Sequence, residues 1–158
     1  MDWDELRQML ESYANTSDSE VLAESIEVPM ELPRWNTIVF VLDLLERRFD
    51  PNDAVPVSEE LGLTVLAALL RNAFFAVDSG MSRRESRVLA SRFVATHFFE
   101  RPRFYTLGRF REYEEDVNGR ITYCSSSRAL LFDNGGFEMG IFIVDEVQVG
   151  LIAVSDFF

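Results

Sequence analysis

The stretch FDNGGFEMGIFIVDEVQVGLIAVSDFF, residues 132–158, decides the fold. Phe137, Met139, Ile141 and Ile143 are spaced by two, so a strand turns them to one side and Phe142 and Val144 to the other. Asp145-Glu146 marks a reversal. Val147, Val149, Leu151 and Ala153 then alternate with Gln148, Gly150, Ile152 and Val154. Upstream, Asn134-Gly135-Gly136 supplies the backbone freedom a tight turn needs. Glycine loops that cradle phosphate open a helix, and no helix follows these glycines. The stretch therefore predicts a β-hairpin rather than a ligand loop. Both of its faces are apolar. One can meet helices; the other needs a cover, from a further helix, a dimer partner or a different protein.

Working back along the chain, period-two patterning continues. Residues 105–117 alternate in part, Asn118-Gly119 is a strong hairpin signal, and residues 120–124 form the return strand. Ser125-Ser126-Ser127 interrupts the pattern, which resumes over residues 129–132. The first half reads as helices. Asp2-Trp3-Asp4-Glu5 opens one that runs to Tyr13, and Ser17-Asp18-Ser19-Glu20 is a capping box that predicts a second to Ser25. Pro33 suits the first turn of a third, to Phe49, with Ile38, Val41, Leu42, Leu45 and Phe49 on one face. Ser58 caps a fourth, apolar nearly all round, to Val77; Ser82-Arg83-Arg84-Glu85 opens a fifth to Phe99. The expectation is a single α+β domain over residues 1–158: about five N-terminal helices packed on a C-terminal four-stranded antiparallel meander.

Composition narrows the function. The chain has 158 residues, 47% of them hydrophobic, and 14 phenylalanines, which is ample for a core. Its formal charge is −12, from 27 acids and 15 bases. Every base is arginine. Residues 1–79 carry a net −11 and residues 80–158 a net −1. Such a charge repels nucleic acid and anionic lipid and attracts basic partners. The longest apolar run, Leu63 to Leu70, is too short to span a bilayer, and the acidic start lacks signal-peptide order, so a cytoplasmic protein is expected. Cys124 is the single cysteine, so no internal disulfide can form.

Few residues carry chemistry. His97 is the only histidine and reads as structural; Cys124 with His97 is the only candidate nucleophile–base pair, and no local signature supports it. One cysteine and one histidine do not make a zinc site, and no calcium-loop spacing occurs, so no metal or cofactor is expected. Asp133, Asp145 and Asp156 read as turn residues. Trp3 and Trp35 read as core or staple residues. Arg83, Arg84, Arg87, Arg101, Arg103, Arg109 and Arg111 form a basic stretch with Phe104, Tyr105 and Phe110 between them. The acidic first half is expected to pair with it. Glu112, Glu114 and Asp116 share one strand face, with Glu115 on the other. They read either as a charged edge that blocks aggregation or as a stripe for a basic partner.

In size, charge and this closing hairpin the chain resembles the small acidic α+β immunity proteins that bacteria make against their own toxins. The resemblance implies a non-enzymatic inhibitor that masks a basic or nucleic-acid-acting site; the charge pattern, not the resemblance, offers Glu112, Glu114, Glu115 and Asp116 as partner-binding residues. The alternatives are a subunit of an obligate assembly, with the 137–154 hairpin as the surface a homodimer would use, and a phage-encoded inhibitor of a host nucleic-acid machine. A pocket between the helices and the sheet for a small ligand is a further reading.

Overall fold

A computed structural model describes residues 1–14, 19–29, 36–72, 79–107, 131–132 and 137–156. Along the chain run α1 (Trp3–Tyr13), β1 (Glu20–Glu27), α2 (Asn36–Leu44), a 3-10 turn (Pro51–Asp53), β2 (Ala54–Val57), α3 (Glu59–Leu70), α4 (Arg83–His97), β3 (Arg103–Leu107), β4 (Phe137–Val144) and β5 (Gln148–Asp156). The five strands form one antiparallel sheet in the order β1-β5-β4-β3-β2.

The architecture is α+β, but the expected five helices on a four-stranded meander are not what forms. Among the described residues there are four α-helices and five strands. The helix expected to end at Ser25 is replaced by β1, which pairs with β5, for example Leu22 with Ala153 and Ile26 with Val149. Its capping-box signature is a local preference, and pairing along a sheet edge outweighs it. Strand β2 was not anticipated at all. It is four residues long and contains Pro56, which an edge strand tolerates because one side of its ladder is unpaired. The expected Asn118-Gly119 hairpin and return strand lie outside the described residues. Leu131 and Phe132 are described, and they form a bend, not a strand.

Helix starts follow the sequence closely. The Asp2 carboxylate accepts the Glu5 N–H at 2.7 Å, and Glu5 accepts the Asp2 N–H at 2.8 Å. Ser58 accepts from Leu61 at 3.2 Å, and Ser82 from Glu85 at 3.1 Å. These bonds satisfy amide groups that a helix start leaves open. The stops come earlier than periodicity suggests. Helix α2 ends at Leu44 before Glu46 at φ 54°, and α3 ends at Leu70 before Asn72 at φ 60°. A left-handed residue reverses the chain and terminates the hydrogen-bond ladder.

The sheet is covered on both sides by its own chain. On one side Leu6 and Leu10 of α1, Leu66 and Leu70 of α3, and Phe93 of α4 pack on Ile141, Ile143 and Ile152. On the other, Ile38, Val41 and Leu42 of α2, with Phe49, Leu131 and Phe132, pack on Phe142, Leu151 and Ala153. The two faces of the hairpin thus go to two cores, as the alternation predicts, and the second cover is α2. The 137–154 hairpin lies at the centre of the sheet, with β1 beyond β5 and β3 beyond β4. No helix among the described residues is long and apolar enough to cross a membrane.

Candidate interaction surface

Helix α1 and edge strand β1 lie side by side, joined by Arg7. Its Nη2 donates to the Ala23 carbonyl at 3.0 Å, a β1 backbone group. The same guanidinium meets Asp4 at 3.5 Å and Glu24 at 4.0 Å. These two elements and the α1 cap also carry Asp2, Glu5, Glu11, Glu20 and Glu27, and none of the seven acids is buried. Arg7 is the only basic side chain on these two elements, with its charge committed to holding α1 on the strand, and the Met1 ammonium lies 3.9 Å from Glu5. Glu11, Glu20 and Glu27 have no cation within ion-pair distance among the described residues. Glu20 and Glu27 stand at the two ends of β1, about 23 Å apart at strand rise. Alternation turns Glu20 and Glu24 to the face of Leu22, on the α2 side, and Glu27 to the face of Ala23, on the α1 side, so the acids line both sides of this edge strand.

The opposite charge collects on α4 and the chain that follows. Arg84, Arg87, Arg92, Arg101 and Arg103 make no ion pair with a carboxylate among the described residues. The anticipated neutralisation of this stretch by the acidic first half is therefore not found for those five. Arg109 and Arg111 lie outside the described residues, as does Trp35.

The predicted stripe, Glu112, Glu114, Glu115 and Asp116, also lies outside the described residues, and so do Cys124 and Asp133. His97 is described and has a packing role. Its Nε2 lies 2.8 Å from the Met1 carbonyl. A carbonyl only accepts, so this nitrogen carries the hydrogen. The ring packs at a 43° tilt against Phe93 with centroids 4.4 Å apart and lies 5.9 Å from Trp3. Trp3 meets Phe93 edge to face at 5.0 Å, as a staple between α1 and α4.

Asp145 is the turn residue the sequence predicts. Its Oδ1 accepts the N–H groups of Val147 at 2.9 Å and Gln148 at 3.0 Å, and its Oδ2 accepts the Phe99 N–H at 3.0 Å. Gln148 Nε2 donates to the same Oδ2 at 3.0 Å and to the His97 carbonyl. One carboxylate thereby fastens the end of α4 to the β4–β5 turn. Among the described residues no three His, Cys, Asp or Glu side chains gather as metal ligands.

Sequence reasoning missed Glu138. It sits on β4 among apolar neighbours and is buried. Its two oxygens accept the N–H groups of Leu131 at 3.0 Å and Phe132 at 2.7 Å. Arg47 completes the arrangement, donating to the Leu131 carbonyl at 3.2 Å with its guanidinium 5.7 Å from the Phe132 ring centroid. Burial pushes the Glu138 carboxyl above the usual range, and the two backbone donors and Arg47 pull in the other direction. Both oxygens are engaged by main chain, so the group clamps residues 131–132 to the sheet. A lone acid inside the run FEMGIFIV was the available signal. Comparison of the chain with protein-family models, with curated proteins and with solved structures found no match.

Proposed function

We propose that this chain is an acidic protein-binding inhibitor that docks a basic partner on the α1–β1 edge. The observation that carries the reading is the charge segregation of that edge: α1, its cap and β1 carry seven carboxylates against one arginine, and that arginine is spent internally. A surface of one sign speeds encounter with a partner of the other and aligns it on contact. A toxin or nuclease that acts on nucleic acid presents cationic groups to phosphate, and an acidic surface masks them. This is the mode of action that the resemblance to immunity proteins implies. On this reading Glu112, Glu114, Glu115 and Asp116 also contact the partner, and the protein works in the cytoplasm, where such a partner is made.

Affinity capture with mass spectrometry tests the proposal. The bait is the full chain, alone, as Glu11→Lys/Glu20→Lys/Glu27→Lys, and as Glu112→Ala/Glu114→Ala/Asp116→Ala. The expected result is a basic protein retained at low salt, released as salt rises, and lost from the first variant. Its loss from the second variant as well places residues 112–116 in the same interface. Retention by the charge-reversed bait, unaffected by salt, overturns the reading.

A further inference from the structure

We infer that β1 is an open strand edge to which an extended basic segment of the partner adds, main chain to main chain. Strand addition here rests on the reading of the α1–β1 edge as the docking surface, and it names how the partner binds there.

The hydrogen-bond phase of the sheet fixes which way each β1 residue points. Val28 N–H donates to the Val147 carbonyl at 2.8 Å, continuing the register that sets Glu27 opposite Gln148. In an antiparallel ladder, bonded pairs alternate with unbonded ones. Glu20, Leu22, Glu24 and Ile26 therefore bond β5, while Val21, Ala23, Ser25 and Glu27 turn their N–H and carbonyl groups away from it. The Arg7 bond to the Ala23 carbonyl agrees with this phase, since that carbonyl faces outward. Among the described residues, no partner takes up the outward N–H groups of Val21, Ser25 and Glu27.

The other edge of the sheet is built differently. The Asp145 N–H donates to the Gln148 carbonyl, and the same alternation carried across β4 and β3 makes Val55 and Val57 bond β3 while Ala54 and Pro56 face outward. Pro56 has no N–H, and the Ala54 N–H is used by the Pro51 carbonyl. The β2 edge thus offers acceptors without donors, one of the ways a sheet avoids adding a strand. Strand β1 has no proline and keeps its donors. A run of outward N–H and carbonyl groups is the template that strand addition uses.

Charge selects the occupant. A second copy of β1 would set Glu20, Glu24 and Glu27 against acids, and like charges across a strand pair are destabilising. A segment with arginine or lysine at alternate positions instead places its cations on one face, beside Glu20 and Glu24, which stand about 13 Å apart at strand rise. Its backbone takes the place of the Arg7 guanidinium at Ala23. Arg7 is partly exposed and its ion pairs are long, so it yields readily, and its release frees Asp4 and Glu24 to meet the partner's cations.

The test adds to the full chain a synthetic peptide of about ten residues that alternates arginine and valine. Calorimetry follows binding, and NMR follows amide hydrogen exchange. In the free protein the N–H groups of Val21, Ser25 and Glu27 should exchange fast and those of Leu22, Glu24 and Ile26 slowly. The peptide should protect the first set. Ser25→Pro removes an outward donor and leaves every charge in place, so it should weaken binding at least about tenfold, whereas Ser25→Ala, which keeps the N–H, should not. The same peptide methylated on every backbone nitrogen keeps its charge and loses its donors, and should bind at least about tenfold more weakly even if Ser25→Pro perturbs the fold. Equal affinity for the methylated peptide, with Val21, Ser25 and Glu27 unprotected, overturns strand addition; loss of that binding in Glu11→Lys/Glu20→Lys/Glu27→Lys would then leave the docking reading standing alone. Protection that grows with protein concentration, without peptide, makes a second copy the occupant and overturns the inference. Failure of the peptide to bind overturns it too, while the capture experiment still tests the docking reading.

Discussion

The buried Glu138 carboxylate accepts the Phe132 N–H at 2.7 Å and so ties a bend to the central strand of the sheet. Burial raises this carboxyl above its ordinary value of 4.5, more than its hydrogen bonds lower it. Between the ordinary value and the raised one, the folded chain holds a proton that the unfolded chain releases. Stability from this group is therefore full below 4.5 and declines as pH rises through the folded value. Glu138→Gln removes that decline. Urea denaturation of both proteins across this window checks it: the variant should gain on the wild type as pH rises. A constant difference would show that Glu138 titrates alike in both states.

Asp145 joins α4 to the β4–β5 turn through three backbone N–H groups and one side-chain amide. Asp145→Ala leaves these donors without their acceptor. A buried donor left unmatched costs about 1–3 kcal/mol, so the loss should reach at least about 2 kcal/mol. Chemical denaturation measures it. Asp145→Asn should recover part, because one of its carboxamide atoms still accepts.

Phe142 is fully buried on the α2 side of the sheet, whereas Leu44 on α2 itself is 59% exposed. Phe142→Ala should cost about 3–5 kcal/mol. Leu44→Ala should stay within about 0.5 kcal/mol. The same equilibrium unfolding experiment reads both. A small effect at Phe142 would mean that α2 does not cover this face.

Gly140 leaves no room for a side chain. A Cβ there would lie 2.5 Å from the Ala153 Cβ and 2.7 Å from the Ile152 carbonyl oxygen. The opposing atoms belong to the neighbouring strand, so relief requires the strands to separate. Gly140→Ala should destabilise by about 1–3 kcal/mol, as overpacking does, and the thermal midpoint should fall accordingly.

Much of this fold was legible in the sequence. The closing hairpin, its two-sided burial and its turn at Asp145 follow from alternation and turn chemistry. The starts of α1, α3 and α4 follow from Asp2, Ser58 and Ser82, whose side chains cap what the chain offers locally. What was hidden depends on contacts distant in sequence. Residues 17–20 carry a helix-start signature, yet residues 20–27 pair with β5, more than a hundred residues away, as Ser25 beside Gly150 shows. Strand β2 is too short, and interrupted by Pro56, to show a period. The cover for the second sheet face could not be chosen between α2 and a partner, because periodicity does not say which side of a sheet a helix takes. The site was legible only as a charge surplus. The acidic edge needs β1 to be a strand, since only then do Glu20, Glu24 and Glu27 lie along one edge of the sheet. Glu138 escaped attention because a single acid in an apolar run reads as a solvated position.

The central claim is that negative charge on the α1–β1 edge binds a basic protein. The measurement that tests it most directly is the dissociation constant of the purified pair across ionic strength, for the wild type and Glu11→Lys/Glu20→Lys/Glu27→Lys. The predicted result is affinity that falls with salt in the wild type, with the variant weaker by at least about tenfold at low salt and the two converging at high salt. Equal affinities with the same salt dependence, in a variant that folds normally, would contradict it.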